Sequence, residues 1–185
     1  MAVDKFLLDK NNALLLIIDI QERLAAVMKQ KDQVVKNCLH LIELAKMQNI
    51  PVVVTEQYPK GLGHTLPELT AALPAHAIAE KVAFNCCAEH SFNAVLKRFG
   101  KKKIIVTGME THICVLQTSL GLIADGHDVH LVSDAVCSRT KENWKSGMEF
   151  IRNAGGVVTN TETALFQLLG VAGTPEFKAI SQRIK

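Results

Sequence analysis

Apolar residues run along this chain in two rhythms, and the switches between them outline a fold. Residues 13–18 are an unbroken apolar run closed by Asp19. With no polar alternation, such a run predicts a strand buried on both faces, as at the centre of a parallel sheet. Over residues 34–47 the apolar positions Val34, Val35, Cys38, Leu41, Ile42 and Ala45 recur at helical spacing, and Asn49-Ile-Pro51 ends the pattern. Residues 52–55 predict a second strand, 75–79 a weaker third running into Glu80-Lys81, 104–107 a fourth, 129–132 a fifth and 157–159 a sixth. Between them the spacing predicts a short helix over 68–73, one over 88–99 stopped by Gly100, and one from Thr111 that ends at Gly126. Another spans 142–154 and stops at Gly155-Gly156, one spans 161–169 with Thr161 as N-cap, and a last one runs from Pro175 towards Ile184. Residues 56–67 carry Pro59, Gly61 and Gly63 and predict an irregular loop long enough to have a function.

Strands alternating with helices predict an α/β fold: a three-layer, Rossmann-like, open parallel sheet of six strands with helices on both faces, in one domain over residues 1–185. In such sheets ligands bind beyond the carboxyl ends of the strands, where strand order reverses. The first strand ends at Asp19, the third runs into Lys81, and the fourth is followed by Cys114. If the order is 3-2-1-4-5-6, the first and fourth strands flank the switch point and bring Asp19 beside Cys114.

Composition narrows the function classes. The chain is 48% hydrophobic and only 5% aromatic, so Leu, Ile, Val and Ala must fill the core. A net charge of +3 is too mild to predict a nucleic-acid surface, and Lys101-Lys102-Lys103 reads as a solvated loop. Five cysteines with no C-x-x-C argue against a disulfide framework or zinc site. Without an apolar leader at the N-terminus, they point to the cytoplasm and leave the mitochondrion open. No run reaches the ~20 apolar residues of a membrane span. The seven histidines are scattered, and His127 and His130 face opposite sides of a strand, so no metal is expected. Phosphate-cradling glycine motifs are missing as well, so no cofactor is expected.

What remains is a thiol with an acid and an amine. Cys114 sits where a strand turns into a helix, a position at which unpaired backbone N–H groups lower a thiol's pKa. Taken singly, each residue has a commoner role: a small buried cysteine, an N-cap at Asp19, a surface lysine at Lys81. Together they supply what a thiol nucleophile needs, a base and a charge that keeps the base ionised. His112 is a poor rival base, because residues two apart on a helix do not face each other. Cys86 and Cys87 read as core residues, one of them near the pocket, and Ser133-Asp134 and Ser138-Arg139 as structural hydrogen bonds and an ion pair.

Leu-Leu-Ile-Ile-Asp19-Ile-Gln21, Lys81-Val-Ala-Phe84 and Gly108-Met-Glu-Thr-His-Ile-Cys114-Val resemble the isochorismatase-like cysteine hydrolases, over about residues 13–169. With Thr55-Glu-Gln-Tyr-Pro-Lys-Gly-Leu-Gly63, the form is most similar to the small isochorismatase-domain branch, whose relatives include nicotinamidase and N-carbamoylsarcosine amidase. The resemblance implies a 3-2-1-4-5-6 sheet, an Asp19–Lys81–Cys114 triad, a cis peptide between Met109 and Glu110, an oxyanion hole from the N–H groups of Glu110 and Cys114, and a homo-oligomer. Where nicotinamidase-type relatives carry an Asp-x-His metal motif, this chain has Glu56-Gln-Tyr-Pro, a departure that argues against the metal and against nicotinamide. The expected activity is hydrolysis of a small amide or related C–N bond through a thioester. Gln21, Gln57, Tyr58, Phe84 and His112 are the expected substrate contacts. The alternatives are a nuclease or RNA-binding protein on the same fold and a catalytically silent oligomeric scaffold.

Overall fold

The computed structural model describes residues 3–185. Its six strands are β1 (Ala13–Ile18), β2 (Val52–Gln57), β3 (His76–Lys81), β4 (Lys103–Met109), β5 (Asp128–Cys137) and β6 (Val157–Thr159). All five neighbouring pairs are parallel, in the order β3-β2-β1-β4-β5-β6, the order the resemblance implies. The helices in chain order are α1 (Glu22–Ala25), α2 (Lys31–Gln48), α3 (Pro59–Leu62), α4 (Pro67–Ala72), α5 (His90–Phe99), α6 (Leu116–Ala124), α7 (Lys141–Asn153), α8 (Thr161–Leu169) and α9 (Pro175–Arg183).

The period-two rule explains why β1 is apolar at every position. Ala13, Leu15 and Ile17 join one core, with Cys38 and Ile42 of α2, Leu165 of α8 and Ile180 of α9. Leu14, Leu16 and Ile18 join the opposite core, with Phe92 and Leu96 of α5, Leu122 of α6 and Ile151 of α7. Each fully buried Leu or Ile contributes about 1.5–3 kcal/mol relative to exposure. Two such cores, one per face, leave the strand ends as the place where polar groups can gather.

Four expectations are corrected. β5 runs on to Cys137, because its polar middle is satisfied within the protein: the Asp134 carboxylate accepts from the backbone N–H and hydroxyl of Thr161, both at 2.8 Å, and Trp144 Nε1 donates to the Ser133 carbonyl at 3.1 Å. β3 starts at His76 and takes in Glu80 and Lys81, which the sequence pattern places after it, since pairing with β2 continues through Gln57–Lys81. Asn160, not Thr161, caps α8, its side chain accepting from Thr163 N–H. Lys103 does not belong to a solvated loop. It starts β4, is 2% exposed, and places its ammonium on the carbonyl and carboxylate of Asp4.

Candidate active site

The carboxyl ends of β1, β2, β3 and β4 converge on one small volume. β1 ends at Ile18, and Asp19 then takes a left-handed conformation (φ 53°), which Asp tolerates better than most residues. Asp19 is fully buried. Its Oδ1 accepts from the Thr55 hydroxyl on β2 at 2.7 Å, and its Oδ2 accepts from Lys81 Nζ on β3 at 2.7 Å. Asp19 is therefore no helix cap, and Lys81, 4% exposed, is no surface lysine. Lys81 Nζ also donates to Gln57 Oε1 at 2.6 Å and to the Ala83 carbonyl at 3.3 Å, which uses all three N–H bonds of the ammonium. Burial alone would lower the Lys81 pKa. The Asp19 carboxylate more than offsets that and raises it.

The fourth strand delivers the thiol. Gly108 pairs with Ile18 and has φ 123°; a Cβ there would lie 2.0 Å from the Ile18 carbonyl oxygen, so only glycine fits. The Met109–Glu110 peptide is cis. Thr111–Val115 then forms one π-helical turn that leads into α6, and Cys114 lies in it, 5% exposed. The Glu110 carbonyl accepts from Ile113 N–H at 3.0 Å and from Val115 N–H at 3.2 Å, passing over the N–H of Cys114 between them. On the far side the turn rests on α7. A Cβ on Gly147 would lie 2.7 Å from the Thr111 carbonyl oxygen and 3.0 Å from His112 Cα.

Asp19, Lys81 and Cys114 are thus brought together, but the thiol is not tuned as the helix-terminus argument expects. Its pKa is raised, first by burial and then by the Asp19 carboxylate, with the Lys81 ammonium pulling the other way. Desolvation outweighs the helix end, so the resting group is a neutral thiol beside the Asp19–Lys81 pair. Cys86 shares this volume. It is fully buried, its N–H donates to the Thr118 hydroxyl at 3.0 Å, and burial pushes its thiol up to about 11.

The remaining expected residues fall into two groups. Gln21 is fully buried and its amide is committed to the loop: Nε2 donates to the carbonyls of Gln57 (3.1 Å) and Gly63 (2.6 Å), and Oε1 accepts from Gln57 N–H (2.7 Å). Gln57 holds Lys81 and the Val82 carbonyl. Both amides thereby brace the site: Gln21 ties the loop to β2, and Gln57 steadies Lys81. Tyr58 and Phe84 are about half exposed beside Lys81, and half-buried His112 places Nδ1 3.0 Å from the Ser138 hydroxyl. Glu110 accepts from the backbone N–H and Nε of Arg139, at 2.9 and 3.2 Å, so the acid that pairs with Arg139 comes from the end of β4, while Asp134 is taken by Thr161.

Two residues escaped the sequence reading: Thr55 gave only the signal of a hydroxyl at a strand end, and Gly147 that of a glycine inside an amphipathic helix. Glu56 stood out in the sequence only as a departure from an Asp-x-His pattern. Here its carboxylate accepts from Thr65 N–H (2.7 Å), the Thr65 hydroxyl (2.8 Å) and His64 Nδ1 (3.0 Å), pinning the loop after β2. Among the described residues no group of three or more His, Cys, Asp or Glu side chains is placed to hold a metal ion. A cavity of about 700 Å³ lies nearby, lined by Lys29, Ser138, Arg139, Lys141 and Trp144 among others. Asp19, Lys81 and Cys114 do not line it, so depth and reactive chemistry are separate here.

Residues 13–163 match the Isochorismatase domain family. The chain is 38% identical over 179 residues to the secreted isochorismatase effector Isc1 of Phytophthora sojae, covering 95% of this chain and 85% of that one. Among solved structures, the MAR1 ribonuclease of Caenorhabditis elegans superposes with a TM-score of 0.89 at 35% identity, over 96% of this chain and 91% of that one. The Escherichia coli YcaC gene product, described as an octameric hydrolase of unknown specificity, gives 0.90 at 27% identity, over 96% and 90%. YcaC from Pseudomonas aeruginosa, solved with hexane-2,5-diol and covalent acrylamide, gives 0.90 at 28%, over 96% and 91%.

Proposed function

The chain belongs to the isochorismatase family, and on that premise we propose that it is a cysteine-dependent hydrolase of a small amide or related C–N bond. The observation that carries this reading is the buried Lys81–Asp19 pair, 2.7 Å apart, set against the thiol of Cys114. An ion pair out of water has a desolvation cost that attraction only partly recovers, so it persists where its charge is used. Asp19 takes the proton from Cys114 as sulfur attacks the carbonyl carbon, so the thiolate need not exist at rest. The oxyanion falls to the N–H groups of Cys114 and Glu110; removing one such donor typically costs about 100–1,000-fold in rate. Asp19 then gives the proton to the departing amine. A water molecule, deprotonated by the same carboxylate, cleaves the thioester and restores the thiol. Lys81 keeps Asp19 ionised and fixed, with Thr55 and Gln57 holding the pair in register. Covalent acrylamide in YcaC supports nucleophilic capture within the family.

A panel of small aliphatic and aromatic amides, assayed for ammonia or amine release with wild type and Cys114→Ala, tests the proposal. Turnover is expected for wild type alone, with an acyl adduct on the Cys114 peptide by mass spectrometry. Equal turnover by the alanine variant would overturn the covalent mechanism.

We also propose a homo-oligomer, supported by the octameric description of YcaC and measured by sedimentation velocity. Among the described residues no helix is long and apolar enough to cross a membrane. The ribonuclease name of the nematode relative keeps an RNA reading in view. For this chain the half-buried Lys101 and the exposed Lys102 line a separate cavity with Lys97 and His127, and Lys103 is committed to Asp4, so these basic residues do not gather at the thiol. RNA binding with a steep salt dependence would favour that reading.

A further inference from the structure

The cavity of about 700 Å³ that Asp19, Lys81 and Cys114 do not line sits between the start of α2, the end of β5 and the start of α7. That volume is ordinary for a small-molecule site. Part of its wall is apolar. Val34, Val136 and Cys137 are buried, and half-buried Trp144 spends its indole N–H on the Ser133 carbonyl, which leaves ring surface for a ligand. Burial, and then the Glu110 carboxylate, push the Cys137 thiol up to about 12, so it stays neutral and adds to that wall. The charged groups are Lys29, Arg139 and Lys141 against Asp134 and Glu142. Asp134 already accepts twice from Thr161, and Glu142 is exposed. Among the described residues neither Lys29 nor Lys141 forms an ion pair. Arg139 gives its Nε and backbone N–H to Glu110, so the two terminal nitrogens of its planar fork stay available.

We infer that this cavity is a second binding site, for a small organic acid: a carboxylate held by the Arg139 fork with Lys29 and Lys141, and an aromatic or aliphatic body laid against Trp144, Val34 and Val136. A planar guanidinium matches a carboxylate in two parallel hydrogen bonds, and the two lysines add point charges on flexible stems. A neutral compound of the same shape would leave the cations without a partner, and a bare inorganic anion would leave the apolar wall wet. The cavity meets the turn that carries Cys114 through two contacts, Arg139 on Glu110 and the Ser138 hydroxyl 3.0 Å from His112 Nδ1. The ligand and the Glu110 carboxylate therefore share one guanidinium, and each weakens the other's hold on it, as linkage requires. The inference stands apart from the amide-hydrolase reading, because it uses none of the three residues on which that reading rests.

Trp144 is the only tryptophan of the chain, so its fluorescence reports on this cavity directly. The full-length protein is titrated with phenylacetate, with its neutral isostere phenylacetamide and with inorganic phosphate, by fluorescence and by calorimetry. Phenylacetate should bind at least about tenfold more tightly than either of the others, the margin of a charge-assisted contact made together with an apolar one. Lys29→Met combined with Lys141→Met should weaken phenylacetate about fivefold or more, the scale of two exposed ion pairs. Glu110→Gln should tighten it by about threefold, because the guanidinium loses a competing charge. Cys114→Ala should leave the affinity as it is, since Cys114 does not line the cavity. Phenylacetamide binding equally well would make this a plain apolar cleft, and phosphate binding equally well a general anion patch. No saturable binding would mean that the cavity is closed in solution, and weaker binding by Cys114→Ala that the acid sits at the thiol instead. Each of these outcomes overturns the inference, as does Glu110→Gln without tightening.

Discussion

Two buried lysines in this protein each hold an aspartate, and only one belongs to a reactive centre. Lys81 and Asp19 meet at the carboxyl edge of the sheet with side chains 1% and 0% exposed. Lys103 and Asp4 meet at the amino edge with side chains 2% and 74% exposed. The lysines are alike in burial; the carboxylates are not. Asp4 is open to solvent, so although Lys103 is held by both its carbonyl and its carboxylate, nothing about that carboxylate is poised. Asp19 has no water to fall back on and faces a thiol. A buried cation is thus a poor marker of chemistry, and a desolvated anion beside a nucleophile is a good one.

The contrast can be broken most directly through turnover. Asp19→Asn should lower kcat/KM on the best amide found by at least about a thousandfold, within the range of lost general acid–base catalysis. Asp4→Asn should change it by less than about twofold, as expected far from the reacting atoms. Similar losses in both would abolish the distinction.

Stability should differ next. Lys81→Met leaves Asp19 buried without its counter-charge and should cost about 3–5 kcal/mol in urea unfolding. Lys103→Met keeps the apolar stem and frees a carboxylate already in water, so about 1 kcal/mol is expected. Lys81 also carries a pH signature. Its pKa is raised in the folded state, so the stabilisation is whole below the unfolded lysine value of about 10.5 and is lost as pH climbs through the higher folded value. Lys81→Met should lack that alkaline loss.

The smallest effect concerns the thiol itself. Because burial and Asp19 raise the Cys114 pKa, iodoacetamide labelling should still be gaining speed above pH 9 in wild type. Removing the carboxylate leaves the ammonium alone beside sulfur, so Asp19→Asn should label faster at pH 7.5 while failing to turn over. Slower labelling of Asp19→Asn would show that Asp19 does not face the thiol.

Much of the fold was legible because β1 states its environment without ambiguity: six apolar residues in a row can only be buried on both sides. The residues at the strand ends were legible for the same reason, since Asp19 is the first polar residue after that run. The failures were those of partners. Lys103 looked like the end of a charged loop because Asp4, its acceptor, is 99 residues away in sequence. The polar middle of β5 looked like a strand end because the groups that satisfy it come from Thr161 and Trp144. The three bonds by which Gln21 ties residues 57 and 63 together leave no local trace in the sequence either. The thiol's raised pKa was hidden too, as proximity to a helix end is visible in sequence whereas depth is not.

The contact between Gly147 and the turn carrying Cys114 sets a mechanical tolerance. Backbone meets backbone there, with a single hydrogen atom as the spacer, so no side chain is present to flex, rotate or be exchanged for another. The sulfur inherits the stiffness of a whole helix rather than that of a loop. The same helix is free elsewhere: Lys141, Glu142, Lys145, Glu149 and Arg152 are exposed and carry no such restriction. Within thirteen residues the chain therefore holds a face open to drift and, on the opposite side, one position with an alphabet of a single letter.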